Sequence, residues 1–235
     1  MRFVIAALLW LSFAGAASAH ALWLEPDAAG YQLYFGEFGG NLREGSPGLL
    51  DRFEPLPAAR AFGPSGDTAL KAEKKPTSFR FVDVPEGTDS VVAEQAAITE
   101  RRQNDKVTRT LGRYAARYVA DFSERTPLIP LDIVPTGKPG RFKVFYDGKA
   151  LPGARAEIAT EFGWTKELKT DEAGELAVEL PWKGTYAVEV SLADNTPGTH
   201  GTAPYDGMRF VTTLTFRVPE GLAGPARPPV VTPKR

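Results

Sequence analysis

The chain contains two histidines, His20 and His200, and no cysteine. His20 directly follows Ala17-Ser18-Ala19, an A-x-A pattern. Ahead of that lie Met1-Arg2 and an unbroken apolar run from Phe3 to Leu11. A basic start, an apolar middle and a small-residue site are the marks of a secretory signal peptide, residues 1–19. Cleavage after Ala19 makes His20 the first residue of the mature chain. A histidine in that position can chelate a metal through its α-amine and Nδ1 together. His200 lies in the loop-like stretch Thr196-Pro-Gly-Thr-His-Gly-Thr. If its imidazole joins the His20 pair, three nitrogens form a T-shaped site, a histidine brace. Tetragonal nitrogen ligation suits Cu(II) best and Ni(II) next. Glu25, Tyr205 and Asp206 are candidates to complete the coordination or to orient a ring. Such binding weakens as pH falls through the imidazole range, because the ligands must be deprotonated.

The competing reading is that His20 follows the cleavage site by accident and His200 is an ordinary exposed loop residue. No H-x-x-x-H pair or cysteine cluster reinforces the two histidines. Trp23, Trp164 and Trp182 suit either a carbohydrate-binding face or a packed core. The pairs Glu172/Glu175 and Glu37/Glu44 are carboxylate pairs of the kind used in glycoside hydrolysis, but they sit in turn-rich segments. There is no Gly-x-Ser-x-Gly and no phosphate-binding loop, and cysteine nucleophiles are excluded. Lys71–Lys75 and Glu100–Lys106 read as solvated surface.

The elements that must position these residues are strands. The apolar run near the front is too short to span a membrane, and no later stretch approaches that length. The mature chain reads as soluble, and as periplasmic or secreted. No lipid-anchoring cysteine follows the cleavage site. Lys and Arg total 28 against 29 Asp and Glu, a balance that argues against nucleic acid or an anionic membrane as partner. Twenty-three glycines and twenty prolines, spread without a period, indicate many turns and short strands.

Along the chain, 20–26 and 31–36 read as strands, 36–66 as long loops, and 79–84 as a further strand. Apolar positions Val107, Leu111, Tyr114, Ala115 and Tyr118 fit one face of a helix, with a strand as the rival. Four prolines between Pro127 and Pro139 suggest a linker or a stiff edge strand. After it, Arg141–Tyr146 alternates into an Asp147-Gly148 turn. Strands follow at 154–160, 175–181, 184–192 and 209–218, the spacing of a β-sandwich. The expected organisation is mainly β: an N-terminal β-rich domain over 20–130, a C-terminal sandwich over 138–220, and a disordered tail over 221–235.

Residues 140–192 resemble the transthyretin-type sandwich of carboxypeptidase-regulatory-like domains. The resemblance is carried by Asp147-Gly-Lys-Ala-Leu-Pro-Gly-Ala, Thr170-Asp-Glu-Ala-Gly-Glu-Leu and Leu180-Pro-Trp-Lys-Gly-Thr-Tyr. That module fixes fold better than function. Nearly the whole mature chain resembles the NikM-like family of periplasmic components of cobalt and nickel uptake systems. The matching pieces are Ala19-His20-Ala-Leu-Trp-Leu-Glu-Pro, Tyr34-Phe-Gly-Glu-Phe, Gly198-Thr-His-Gly, Tyr205-Asp and Thr212-Thr-Leu-Thr-Phe. The resemblance implies metal handling.

The expected function is a non-enzymatic periplasmic protein that holds nickel, cobalt or copper in an uptake or supply system. It would work with a membrane transporter and have no nucleic-acid partner. The alternative is a metal-free β-sandwich that docks on a transporter or receptor. An oxidative copper enzyme built on the same brace ranks third.

Overall fold

A computed structural model describes residues 20–64 and 66–234. The signal-peptide reading, residues 1–19, lies outside them. In chain order the strands are β1 (Ala21–Asp27), β2 (Gly30–Glu37), β3 (Leu42–Arg43), β4 (Ala58–Gly63), β5 (Gly66–Leu70), β6 (Ala72–Lys75), β7 (Ser78–Phe81), β8 (Ser90–Gln103), β9 (Lys106–Val119) and β10 (Leu131–Pro135). They continue as β11 (Arg141–Tyr146), β12 (Lys149–Ala150), β13 (Arg155–Thr160), β14 (Thr165–Lys169), β15 (Glu175–Ala177), β16 (Trp182–Asp194), β17 (Gly198–His200), β18 (Ala203–Tyr205), β19 (Gly207–Val218) and β20 (Leu222–Ala223). A 3-10 turn at Leu49–Arg52 is the helical element among the described residues. No helix among them is long and apolar enough to cross a membrane.

The protein is mainly β and built as layered sheets. A nine-stranded sheet runs β14-β13-β16-β19-β9-β8-β4-β5, with β20 beside β16. A five-stranded sheet, β1-β2-β7-β6 with β3 on β2, covers one part of it. A four-stranded sheet of β10, β11, β12 and β15 covers another. The two covers lie on opposite faces. Tyr114, Ala116 and Tyr118 of β9 pack with Leu22, Leu33, Phe35 and Phe79 of the five-stranded sheet. Val119 of β9 packs instead with Leu131, Val144, Tyr186 and Phe216. Successive strand residues point to opposite faces, so neighbouring β9 residues serve different cores.

The two largest clusters divide the chain near Tyr118 and Val119, while a smaller one joins Trp23, Tyr34 and Phe38 to Ala159 and Ala187 across that divide. The chain stretches on either side of the proline cluster share one sheet, because β9 pairs in parallel with β19 from Thr110↔Gly207 to Tyr118↔Thr215. The cluster itself contains β10, an edge strand paired with β11 and wholly buried. Arg117, 1% exposed, crosses from the sheet to β10 and donates to Asp132 at 2.7 Å. It also donates to the Ser90 hydroxyl at 3.0 Å.

Three expectations need correction. Residues 107–118 form a strand, not a helix. They pair in continuous register with β8, from Gln103↔Lys106 to Ser90↔Val119. Burial on both faces of β9 erases the period-two signal and leaves an accidental helical spacing. Residues 36–66 are not all loop, since β3, the 3-10 turn and β4 lie within them. Nor is the stretch after residue 221 a disordered tail. β20 joins β16, and Val231 forms a β-bridge to Leu42. The Asp147-Gly148 turn forms with φ of 47° and 73°, the left-handed pair that a tight hairpin requires.

Candidate functional site

His20 stands at the mouth of β1, whose next four residues are buried. Its ring lies against Phe35 of β2, with centroids 5.3 Å apart and planes tilted by 56°. Its Nε2 donates to Glu44 Oε1 at 2.7 Å. Glu44 follows β3 and is 1% exposed. The Glu44 amide donates to the Phe35 carbonyl at 2.8 Å. One residue of β2 thus anchors both partners, its ring holding the imidazole and its carbonyl holding the glutamate. The approach of β3 to β2 depends on Gly36, with φ of 147°. A Cβ there would lie 2.2 Å from the Leu42 carbonyl oxygen. A carboxylate only accepts, so a neutral His20 ring carries its proton on Nε2 and keeps its lone pair on Nδ1.

Glu44 was visible in the sequence only as half of a carboxylate pair with Glu37. Nothing in a Gly-rich stretch marks one glutamate for burial against a histidine, and the pairing spans 24 positions.

The other sequence candidates are placed elsewhere. His200 is exposed on the β17–β18 hairpin. It lines a cavity of about 290 Å³ with Glu94, Arg113, Ala115, Phe210 and Thr212. Tyr114 also lines it and packs edge-on against Phe35 at 5.8 Å. The immediate surroundings of the two histidines differ, His20 resting on Phe35 and Glu44 and His200 standing on the exposed hairpin. Glu25 accepts from Trp23 Nε1 at 3.0 Å and pairs with Arg43 and Arg227. Asp206 accepts the Arg109 amide at 2.7 Å and returns its own amide to the Arg109 carbonyl at 2.8 Å, which stitches the hairpin to β9. The Tyr205 ring lies across Gly198, where a side chain would collide with it. Among the described residues, no group of three or more His, Cys, Asp or Glu is placed to hold a metal ion. Trp23 is fully buried, while Trp164 and Trp182 pack on the second core.

A feature the sequence did not suggest lies at the border of the five-stranded cover, beside the packing of Trp23 and Phe38 on Ala159 and Ala187. Glu167, Glu157 and Glu189 stand side by side on β14, β13 and β16 in direct register. They line an open groove of about 630 Å³ with Glu37, Arg155 and Arg209. Burial pushes the Glu189 carboxyl up to about 7, helped by the neighbouring Glu157 charge and opposed by Arg209. Burial and the Glu167 charge also raise Glu157. These glutamates are scattered in sequence, and only the strand register aligns them.

No curated protein matches this chain. The profile of one domain family matches residues 17–194, most of the chain. The chain belongs to the DUF4198 family, a domain of unknown function.

Proposed function

We propose that the mature protein is an exported, periplasmic transition-metal carrier whose site is its own first residue. In this reading cleavage after Ala19 frees the His20 amine. The amine and Nδ1 together hold Cu(II) or Ni(II), and cobalt follows by the same nitrogen chemistry. The observation that carries the reading is the 2.7 Å bond from His20 Nε2 to the buried Glu44 carboxylate. Metal-binding histidines commonly give their second ring N–H to a carboxylate, which fixes the tautomer and raises the basicity of the ligating nitrogen. Here that bond occupies the nitrogen an amine chelate does not need. Side chains alone supply too few ligands, so the amine is essential to the proposal. His200 has no part in it. The metal would be cargo held by the His20 amine and Nδ1, and the NikM-like resemblance supports carriage over catalysis.

The test is N-terminal sequencing of the exported protein, followed by calorimetric titration with Cu(II) and Ni(II). The reading expects His20 as the first residue, one metal per chain, loss of binding in His20→Ala and retention in His200→Ala. Equal binding by His20→Ala and the wild type would refute it. The rival, a docking module without metal, draws on a different edge of the molecule.

A further inference from the structure

After β19 the chain turns back and runs as a strap along the outer edge of the five-stranded sheet. Its anchor is Arg227, whose guanidinium grips Glu25 with two bonds of 2.5 and 3.2 Å. It lies 3.8 Å from Glu161 as well. One residue on, the Pro228 carbonyl accepts from Asn41 Nδ2 at 2.7 Å. Val231 then adds to β3 as a parallel bridge. Its amide donates to the Asn41 carbonyl at 3.1 Å, and its carbonyl accepts the Arg43 amide at 2.8 Å.

The two sides of this contact differ. With the strap in place the body side is buried, and it is also held by contacts that do not involve the strap. Asn41 is 3% exposed and its side-chain oxygen accepts from Arg43 at 3.0 Å. Arg43 is stacked 3.8 Å over the Tyr34 ring. Glu25 is held by the Trp23 indole. The strap side buries little apolar surface, since Val230 and Val231 are 53% and 51% exposed. Apolar burial supplies most of the stabilisation in a core contact. This contact relies instead on one bidentate ion pair and main-chain bonds to a sheet edge, which is how an extended peptide docks by strand addition.

We propose that the β3 edge with Glu25 and Asn41 is a peptide-docking site, occupied in cis by the strap. The partner it fits is an extended segment of another protein that copies the strap. Such a segment has an arginine, a proline directly after it, and a β-branched residue four positions past the arginine that bridges to β3. The inference goes beyond the metal reading and does not depend on it.

The chain has no cysteine, so a single Val230→Cys takes a spin label cleanly at an exposed site. In the full mature chain the label should report an ordered strap, and Arg227→Ala should release it while near-ultraviolet dichroism stays unchanged. A tagged peptide spanning residues 222–234 should then bind the Arg227→Ala chain at least about tenfold tighter than wild type, because the cis strap blocks the wild-type site. A peptide with its own Arg227→Ala should not bind. Hydrogen exchange on the wild type checks the same point without any variant. The Arg43 and Val231 amides should exchange by local opening, well before those of β16. The proposal fails if those amides exchange only on global unfolding, or if Arg227→Ala leaves the strap ordered or unfolds the chain. It also fails if the peptide binds both chains alike or binds neither.

Discussion

Two parts of the molecule treat charge differently. Under a second layer the buried Arg117 is paired with the buried Asp132, and in the covering sheet the buried Glu44 carboxylate accepts from His20. Along β14, β13 and β16, three carboxylates stand next to one another with no cation between them in the register. Like charges directly opposite destabilise a sheet, and the burial of Glu189 beside Glu157 favours its protonated form. The difference teaches that the neighbours of a buried charge decide its chemistry. Under the second layer a buried charge meets an opposite one, and in the row of glutamates burial among like charges favours proton uptake instead.

The sharpest way to break the comparison is at the covered pair. Asp132→Ala should strand the Arg117 guanidinium in the core and cost about 3–5 kcal/mol, read by urea unfolding. The double variant Arg117→Met with Asp132→Leu should recover much of that loss. A loss below about 1 kcal/mol for the single variant would show that the pair is solvated and the comparison false.

The row of glutamates predicts a pH effect of opposite character. The ordinary glutamate value is 4.5, and Glu189 stands at about 7 in the folded protein. Between those values the folded state binds more protons than the unfolded one. Its stabilising share is full below about 4.5 and lost as pH rises through 7. The loss is at most about 3 kcal/mol, or a melting shift of roughly 8 °C. Glu189→Gln should flatten this slope between pH 5 and 8, read by thermal melts. An unchanged slope would place Glu189 in water.

At the His20 site the expected effect is smaller. Glu44→Gln keeps the size of the side chain but removes the charge that holds the ring. It should weaken Cu(II) binding by about 10- to 100-fold, in line with other carboxylates that support a metal-bound histidine. Unaltered affinity would mean that Glu44 serves stability alone.

The legible parts of the sequence are those whose signal is local. Arg141–Tyr146 and the Asp147-Gly148 turn form as their alternation and turn chemistry indicate. β9 was ambiguous because Tyr114 and Ala115 are packed on opposite faces, so hydrophobicity carries no period there. The strap was misread because proline and basic residues signal disorder, whereas its anchors, Glu25 and Asn41, lie near the other end of the chain. Of the site, His20 was legible from its position after the cleavage pattern. Glu44 was not, since a glutamate's burial depends on a partner brought to it by β2. His200 entered the sequence reading through its residue type, its loop and the Gly198-Thr-His-Gly motif, none of which carries its spatial position.

The central claim is that metal is held by the free amine and ring of His20. The most direct test compares Cu(II) titration of the mature chain with that of a chain carrying one extra residue before His20. The extra residue leaves the imidazole and its Glu44 bond intact and moves only the amine. The account predicts one tight Cu(II) per mature chain and a loss of at least about 100-fold in affinity for the extended chain, a difference of about 2.7 kcal/mol. Equal affinity in the two chains, or no binding by the mature one, would contradict it.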